Sequence, residues 1–134
     1  LFDPKSLHVQ TFQLSGEVVQ KLNQLHGQGQ DVNALFLEFL EQREEKIERE
    51  KEEIAGGLKP TNSRYMPVKV RRILHEEYGQ KCSIASCSKP AEEIHHTQRF
   101  SLAHSHDPNY LAPLCMEHHQ LAHAVDASVR AHWK

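Results

Sequence analysis

No run of the chain approaches the roughly 18 apolar residues that a membrane-spanning helix requires, and no basic start leads into an apolar stretch of the secretory-signal kind. These absences predict a cytoplasmic protein without a membrane partner. Glycine and proline are scarce, six of each in 134 residues, which excludes collagen-like and low-complexity polymers. No internal repeat is visible, and aromatic residues make up only 7%. Cysteines number three, an odd count that fits a disulfide framework poorly. What is present, 38% hydrophobic and 25% charged residues, describes a globular chain of one or two small domains.

The net charge of −2 conceals an asymmetry. Residues 1–57 hold six Lys/Arg against eleven Asp/Glu, a net of −5, whereas residues 58–134 hold ten against seven, a net of +3. The second part also contains nine of the eleven histidines and all three cysteines. The chemistry is therefore expected there.

Residues 7–14, Leu-His-Val-Gln-Thr-Phe-Gln-Leu, alternate as a short strand would, and Ser15 stands where a helix N-cap belongs. Val18, Val19, Leu22 and Leu25 recur at helical spacing until Gly27-Gln28-Gly29 interrupts them. Asp31 can cap a second helix carrying Val32, Leu35, Phe36, Phe39 and Leu40, which continues through a charged stretch to Ile54. Leu40, Ile47 and Ile54 lie seven apart, a single thin seam that predicts a solvated spacer helix and not a coiled coil. Gly56-Gly57 ends it, and residues 58–63 form a linker. A third helix is expected from about Pro67 to Tyr78, closing at Gly79, with a basic exposed face. Beyond it come a small strand at Glu93-Ile94-His95, a second near Leu111, and a last helix from about Met116. The fold class is thus α+β, mostly helical: a strand-helix-helix region over 1–57 with a long charged helix, then a small metal-stapled domain over 58–134.

Cys82-x4-Cys87 and Cys115-x2-His118 are two ligand pairs separated by a 27-residue connection, the spacing at which two knuckles close a tetrahedral Cys3His zinc site. A unit of this size and with so few large hydrophobes needs such a staple. The competing arrangement is a Cys82–Cys87 disulfide with Cys115 free. The odd cysteine count, the expected reducing compartment and a histidine at the fourth ligand position all favour zinc.

The remaining histidines group as His95-His96 and His119-x3-His123. Residues four apart share a helical face, so His119 and His123 can grip one divalent ion while His118, about 100° round the helix, faces the cysteines. Neighbours on a strand point to opposite sides, so one of His95 and His96 can complete that second metal site and the other stays free. A free neutral imidazole beside a bound cation is what a hydrolase needs to take a proton from water.

Over about half of the chain, from Arg64-Tyr65-Met66-Pro67 through Cys82, Cys87, Ile94-His95-His96, Leu111-Ala112-Pro113-Leu114-Cys115 and His118-His119 to His123, the sequence resembles the HNH endonucleases, a family of the ββα-metal fold. The resemblance implies that His95, His119 and His123 hold a catalytic metal, that His96 is the general base, and that Cys82, Cys87, Cys115 and His118 hold structural zinc. Where the family places its central Asn this chain has Tyr110, with Asn109 one residue earlier as the candidate loop brace. The implied activity is hydrolysis of DNA phosphodiester bonds, with Arg99 as a second cation at the phosphate. Three imidazoles suit Zn, Ni, Mn or Co better than Mg, which leaves the catalytic metal open. Lys59, Arg64, Lys69, Arg71, Arg72 and Lys81 form the expected phosphate-following face, for weak, salt-sensitive and largely sequence-independent binding of double-stranded DNA. The strand-helix-helix order of 1–57 is similar to ribbon-helix-helix modules, which implies a homodimer made by pairing of two such strands. The alternative to an enzyme is a non-catalytic zinc module that binds nucleic acid or protein; the intact quartet His95, His96, His119 and His123 argues for the enzyme.

Overall fold

The structure is a computed structural model that describes residues 2–98 and 100–132, without the side chains of 101, 102 and 125–132. The Ser15 hydroxyl accepts the Val18 backbone N–H at 3.3 Å, satisfying one of the orphan donors of helix α1 (Gly16–Gly27). Asp31 does the same for helix α2 (Val32–Gly57), its carboxylate accepting the Ala34 N–H at 3.2 Å. Both caps are local, and both form where the sequence places them.

Contacts divide the chain into two compact units, Leu1–Glu41 and Gln42–Lys134. In the first, none of the described residues is buried. Residues 7–14 are irregular, a correction to the expected strand: a strand exists through its ladder, and this segment pairs with no described residue. Its side chains face solvent, with Val9 99% and Leu7 89% exposed, and Phe36 and Phe39 on α2 are exposed as well.

The second unit begins inside α2, sixteen residues before the expected boundary after residue 57, because the later turns of that helix are not the solvated spacer the thin seam suggested. Ile47 and Lys51 are buried and Ile54 is half-buried. The Lys51 ammonium bonds both carboxylate oxygens of Glu77 at 2.9 and 3.1 Å, and the Arg43 guanidinium donates to the Glu76 carbonyl. Helix α3 (Val68–Tyr78), with Pro67 before its first turn, buries Val70, Ile73 and Leu74 at the spacing of one helical face. Val70 (0% exposed) and Leu74 (2%) form a core with Met66 and Leu111, and Ile54, Leu58, Tyr78 and Ile94 pack against it. At Gly79 the backbone takes φ +65° and ψ −141°, a region essentially restricted to glycine, and its N–H closes on the His75 carbonyl at 2.7 Å.

Strands β1 (Glu93–His96) and β2 (Leu111–Leu114) pair antiparallel, with Glu93 opposite Leu114 and His96 opposite Leu111. Between them lie the single turn α4 (Phe100–Ala103) and a 3-10 turn over Pro108–Tyr110. Helix α5 (Met116–His132) follows β2 directly. The fold is α+β, about half helical, with one small two-stranded antiparallel sheet. No helix among the described residues is long and apolar enough to cross a membrane.

Candidate metal centres

Cys82 is drawn to the end of β2 by backbone bonds on either side of it. Its N–H reaches the Lys89 carbonyl at 2.9 Å, the Ser83 N–H reaches the Pro113 carbonyl at 2.8 Å, and the Cys87 N–H closes a turn on Ile84 at 2.9 Å. Cys115 and His118 come from the start of α5. The Sγ of Cys115 lies 3.1 Å and that of Cys82 3.5 Å from His118 Nδ1, and Cys87 and Cys115 sulfurs are 3.9 Å apart. Ligands about 2.0–2.3 Å from a tetrahedral zinc ion stand roughly 3.3–3.8 Å from one another, so the four can hold a metal ion such as zinc. All three cysteines are free, which overrules the Cys82–Cys87 disulfide.

The acid-base chemistry of the cluster agrees. Burial works to raise the Cys82 thiol, but hydrogen bonds from the backbone at Cys115 and Ile84 and from the Cys87 and His118 side chains outweigh it and bring it down to about 7. Cys115 moves up: the His118 N–H favours its thiolate, yet burial and the adjoining Cys87 and Cys82 sulfurs overcome that. Crowded sulfurs that resist sharing negative charge are a site for a cation. Outside the cluster, Lys89 and Glu117 pair at 2.9 Å, clipping the cysteine loop to the first turn of α5.

The second cluster is built on the other face of α5. His119 and His123, one turn apart, bring their Nε2 atoms to 2.9 Å, and the buried His95 of β1 meets both rings edge-on at centroid distances of 5.5 and 5.1 Å. The ligand atoms of His95, His119 and His123 lie within 4.8 Å of one another. Two imidazole nitrogens at hydrogen-bond distance, with a third alongside, form a donor set that a divalent cation fits.

On the opposite side of β1, His96 sits in a different environment. Its Nε2 is 3.0 Å from Nδ1 of His106, whose own Nε2 is 2.9 Å from the Ser63 carbonyl. His106 is 2% exposed and stacks on Phe100 at 4.8 Å, and the Arg64 guanidinium lies over the same Phe100 ring at 5.3 Å from its centroid. Burial lowers the His96 pKa from its ordinary value, and the charges of His106, His95 and Arg64 lower it further. His96 is therefore neutral, and able to accept a proton, at neutral pH.

Of the other expected site residues, Arg99 lies outside the described residues. Asn109 directs its backbone N–H and side-chain amide to Asp107, at 2.9 and 3.0 Å, while the group bonded to His96 is His106. The two loop ends are tied by Thr97, whose N–H and hydroxyl both donate to the Tyr110 carbonyl at 2.8 and 3.0 Å. That tie uses only backbone at residue 110, which explains how a tyrosine can stand there. Lys59, Arg64, Lys69, Arg71, Arg72 and Lys81 are all exposed. They do not share one setting: Lys69 and Arg72 border a cleft with Glu50, Glu53 and Glu76, and Arg71 lines a cavity of about 380 Å³ with Glu92 and Glu93. Arg64 alone stands beside the His96 group. Sequence reasoning missed His106, and the only available signal was one more histidine in a His-rich loop.

The chain matches no family model, no curated protein and no solved structure.

Proposed function

We propose that this chain is a metal-dependent DNA endonuclease of the ββα-metal kind that hydrolyses phosphodiester bonds with His96 as general base. The observation that carries this reading is the convergence of His95, His119 and His123 on one side of β1 with a neutral, hydrogen-bonded His96 on the other. A binding module has no use for either. In this reading Cys82, Cys87, Cys115 and His118 hold structural zinc, and His95, His119 and His123 hold the working divalent ion, whether Zn, Ni, Mn, Co or Mg. When bound, that ion supplies Lewis-acid stabilisation of the negative charge that builds on the scissile phosphate. His96 takes the proton of the attacking water, and Arg64 meets a non-bridging phosphate oxygen, with Arg99 as the further cation and Asn109 serving the loop through Asp107.

The substrate is double-stranded DNA, followed through phosphates by exposed cations of residues 59–81. Acidic neighbours of Lys69, Arg71 and Arg72 weaken this face, which supports low affinity and strong salt dependence. The first unit serves as the dimerisation element: its unladdered segment 7–14 and exposed apolar side chains are covered by a second copy of the same chain.

The deciding experiment incubates the purified chain with supercoiled plasmid across Zn, Ni, Mn, Co and Mg, beside His96→Ala. Nicked or linear product that His96→Ala abolishes, at unchanged metal content, is the expected result. Absence of cleavage with every ion, or full cleavage by His96→Ala, overturns the enzyme and leaves the non-catalytic zinc module.

A further inference from the structure

We infer that His106 is a positioning residue that locks His96 in its Nε2–H tautomer, so that Nδ1 is the atom that receives the proton. The mechanistic part of this inference rests on the nuclease reading above; the tautomer assignment does not.

The argument is one of donors and acceptors. A carbonyl oxygen only accepts, so the 2.9 Å contact between Ser63 O and His106 Nε2 requires the proton to be on Nε2. A neutral imidazole carries one N–H, which leaves a lone pair on His106 Nδ1. That lone pair faces His96 Nε2 at 3.0 Å, so His96 Nε2 must be the donor. The remaining lone pair of His96 is then on Nδ1. The chain of dependence runs from a backbone carbonyl in the segment before α3, through a buried ring, to the proposed base.

The packing holds this arrangement in place. His106 is buried and stacked on Phe100 at an interplanar angle of 21°, and Phe100 also meets the His96 ring at 5.3 Å. Turning His106 over would bring ring carbons to both partners and break both bonds, and at 2% exposure the ring has little access to solvent that could replace them.

In the hydrolytic step, the water O–H bond breaks and its proton goes to His96 Nδ1. The electron pair stays on the water oxygen, which bonds to phosphorus. The P–O3′ bond breaks with its pair on the 3′ oxygen, which takes a proton from solvent. The imidazolium so formed still donates from Nε2 to His106. His106 thus orients the base without touching substrate.

The test is direct. In the full-length zinc-loaded protein with 15N-labelled histidine, long-range 1H–15N correlations are expected to show Nε2–H on both His96 and His106. An Nδ1–H on either ring overturns the inference. His106→Leu is expected to leave His96 without its acceptor, change its tautomer signature, and lower plasmid-cleavage kcat by about 100-fold, the scale of a general base's contribution, with little change in KM. His106→Asn, which returns an oxygen near the Nδ1 position, is expected to recover most of that loss. An unchanged kcat in His106→Leu overturns the positioning role. Should the wild-type tautomers be as stated while the protein cuts no DNA, the lock stands and the nuclease reading falls; cleavage by a protein with Nδ1–H on His96 sinks the lock alone.

Discussion

The two units of this chain are built on opposite economies of burial. Residues 2–41 form a capped helix and the opening of another, yet bury none of their side chains; residues 42–124 bury two apolar clusters and gather seven side chains in two groups that could each hold a metal ion. Helix formation is local and needs only caps and spacing, whereas retention of a fold requires surface removed from water or an equivalent constraint. The second unit finds that constraint within itself; the described residues of the first do not. The contrast also separates roles, because a site with fixed geometry needs a rigid support.

The largest effect that bears on this comparison comes from metal removal. Structural zinc contributes on the order of 10 kcal/mol to small domains. Chelation, or Cys115→Ser, is therefore expected to collapse the NMR dispersion of residues 42–124 while the α1 signals persist. Simultaneous loss of both would mean that the units are not separately held. Next, His96→Ala is expected to lower cleavage by about 10²–10⁴-fold with an intact melting curve, as removal of a general base does. A matched pair of truncations sharpens the contrast further. Leu74→Ala, at a fully packed position, should cost roughly 2–5 kcal/mol in chemical denaturation. Phe39→Ala, at an exposed one, should leave that curve in place and, if the proposed dimer forms, raise its dissociation constant measured by sedimentation.

A smaller effect is expected from acid. Because burial and neighbouring charge lower the His96 pKa, the base stays neutral to more acidic pH than a free imidazole. At saturating metal, cleavage should fall as pH drops, with its midpoint below the ordinary ~6.5, and should not fall from this group as pH rises. A midpoint above 6.5 would contradict the buried setting of His96. Smallest of all is the Lys89–Glu117 pair. The Lys89 ammonium holds the Glu117 carboxyl down at about 2, so the pair's contribution is complete above the ordinary carboxylate range and lost only as pH falls toward 2. Both groups are exposed, and Glu117→Gln should leave the neutral-pH melt almost unmoved.

Much of the secondary structure could be read directly, since its signals are short-range: Ser15 and Asp31 as caps, Pro67 and Gly79 as the bounds of α3, and the onset of α5 after Cys115. The cysteine spacing likewise anticipated which four side chains meet, and the i, i+4 pair on α5 anticipated the face that His95 joins. Three features escaped because they depend on residues far apart in the chain. Charge density along α2 suggested solvent, but Lys51 finds Glu77, twenty-six residues on, and Lys51 and Ile47 are buried. Alternation at 7–14 suggested a strand, but alternation cannot supply a neighbour. Asn109 stood out by position as the loop brace, and it bonds Asp107 within that loop, but nothing local showed that His106 would be the residue that meets His96.

What the amino-acid order determined by itself is thus the inventory and the local geometry: which helices begin and end where, and which ligand pairs lie on one turn or one strand. Backbone hydrogen bonding and side-chain periodicity act over a few residues, so neighbours suffice to specify them. Only the tertiary structure decided that Ser63, His106 and His96 form one line of hydrogen bonds and that the later part of a charged helix belongs to the second unit, with Ile47 and Lys51 buried. Those pairings join positions 10 to 43 residues apart, and closing such loops is governed by the packing of the whole unit rather than by any local preference.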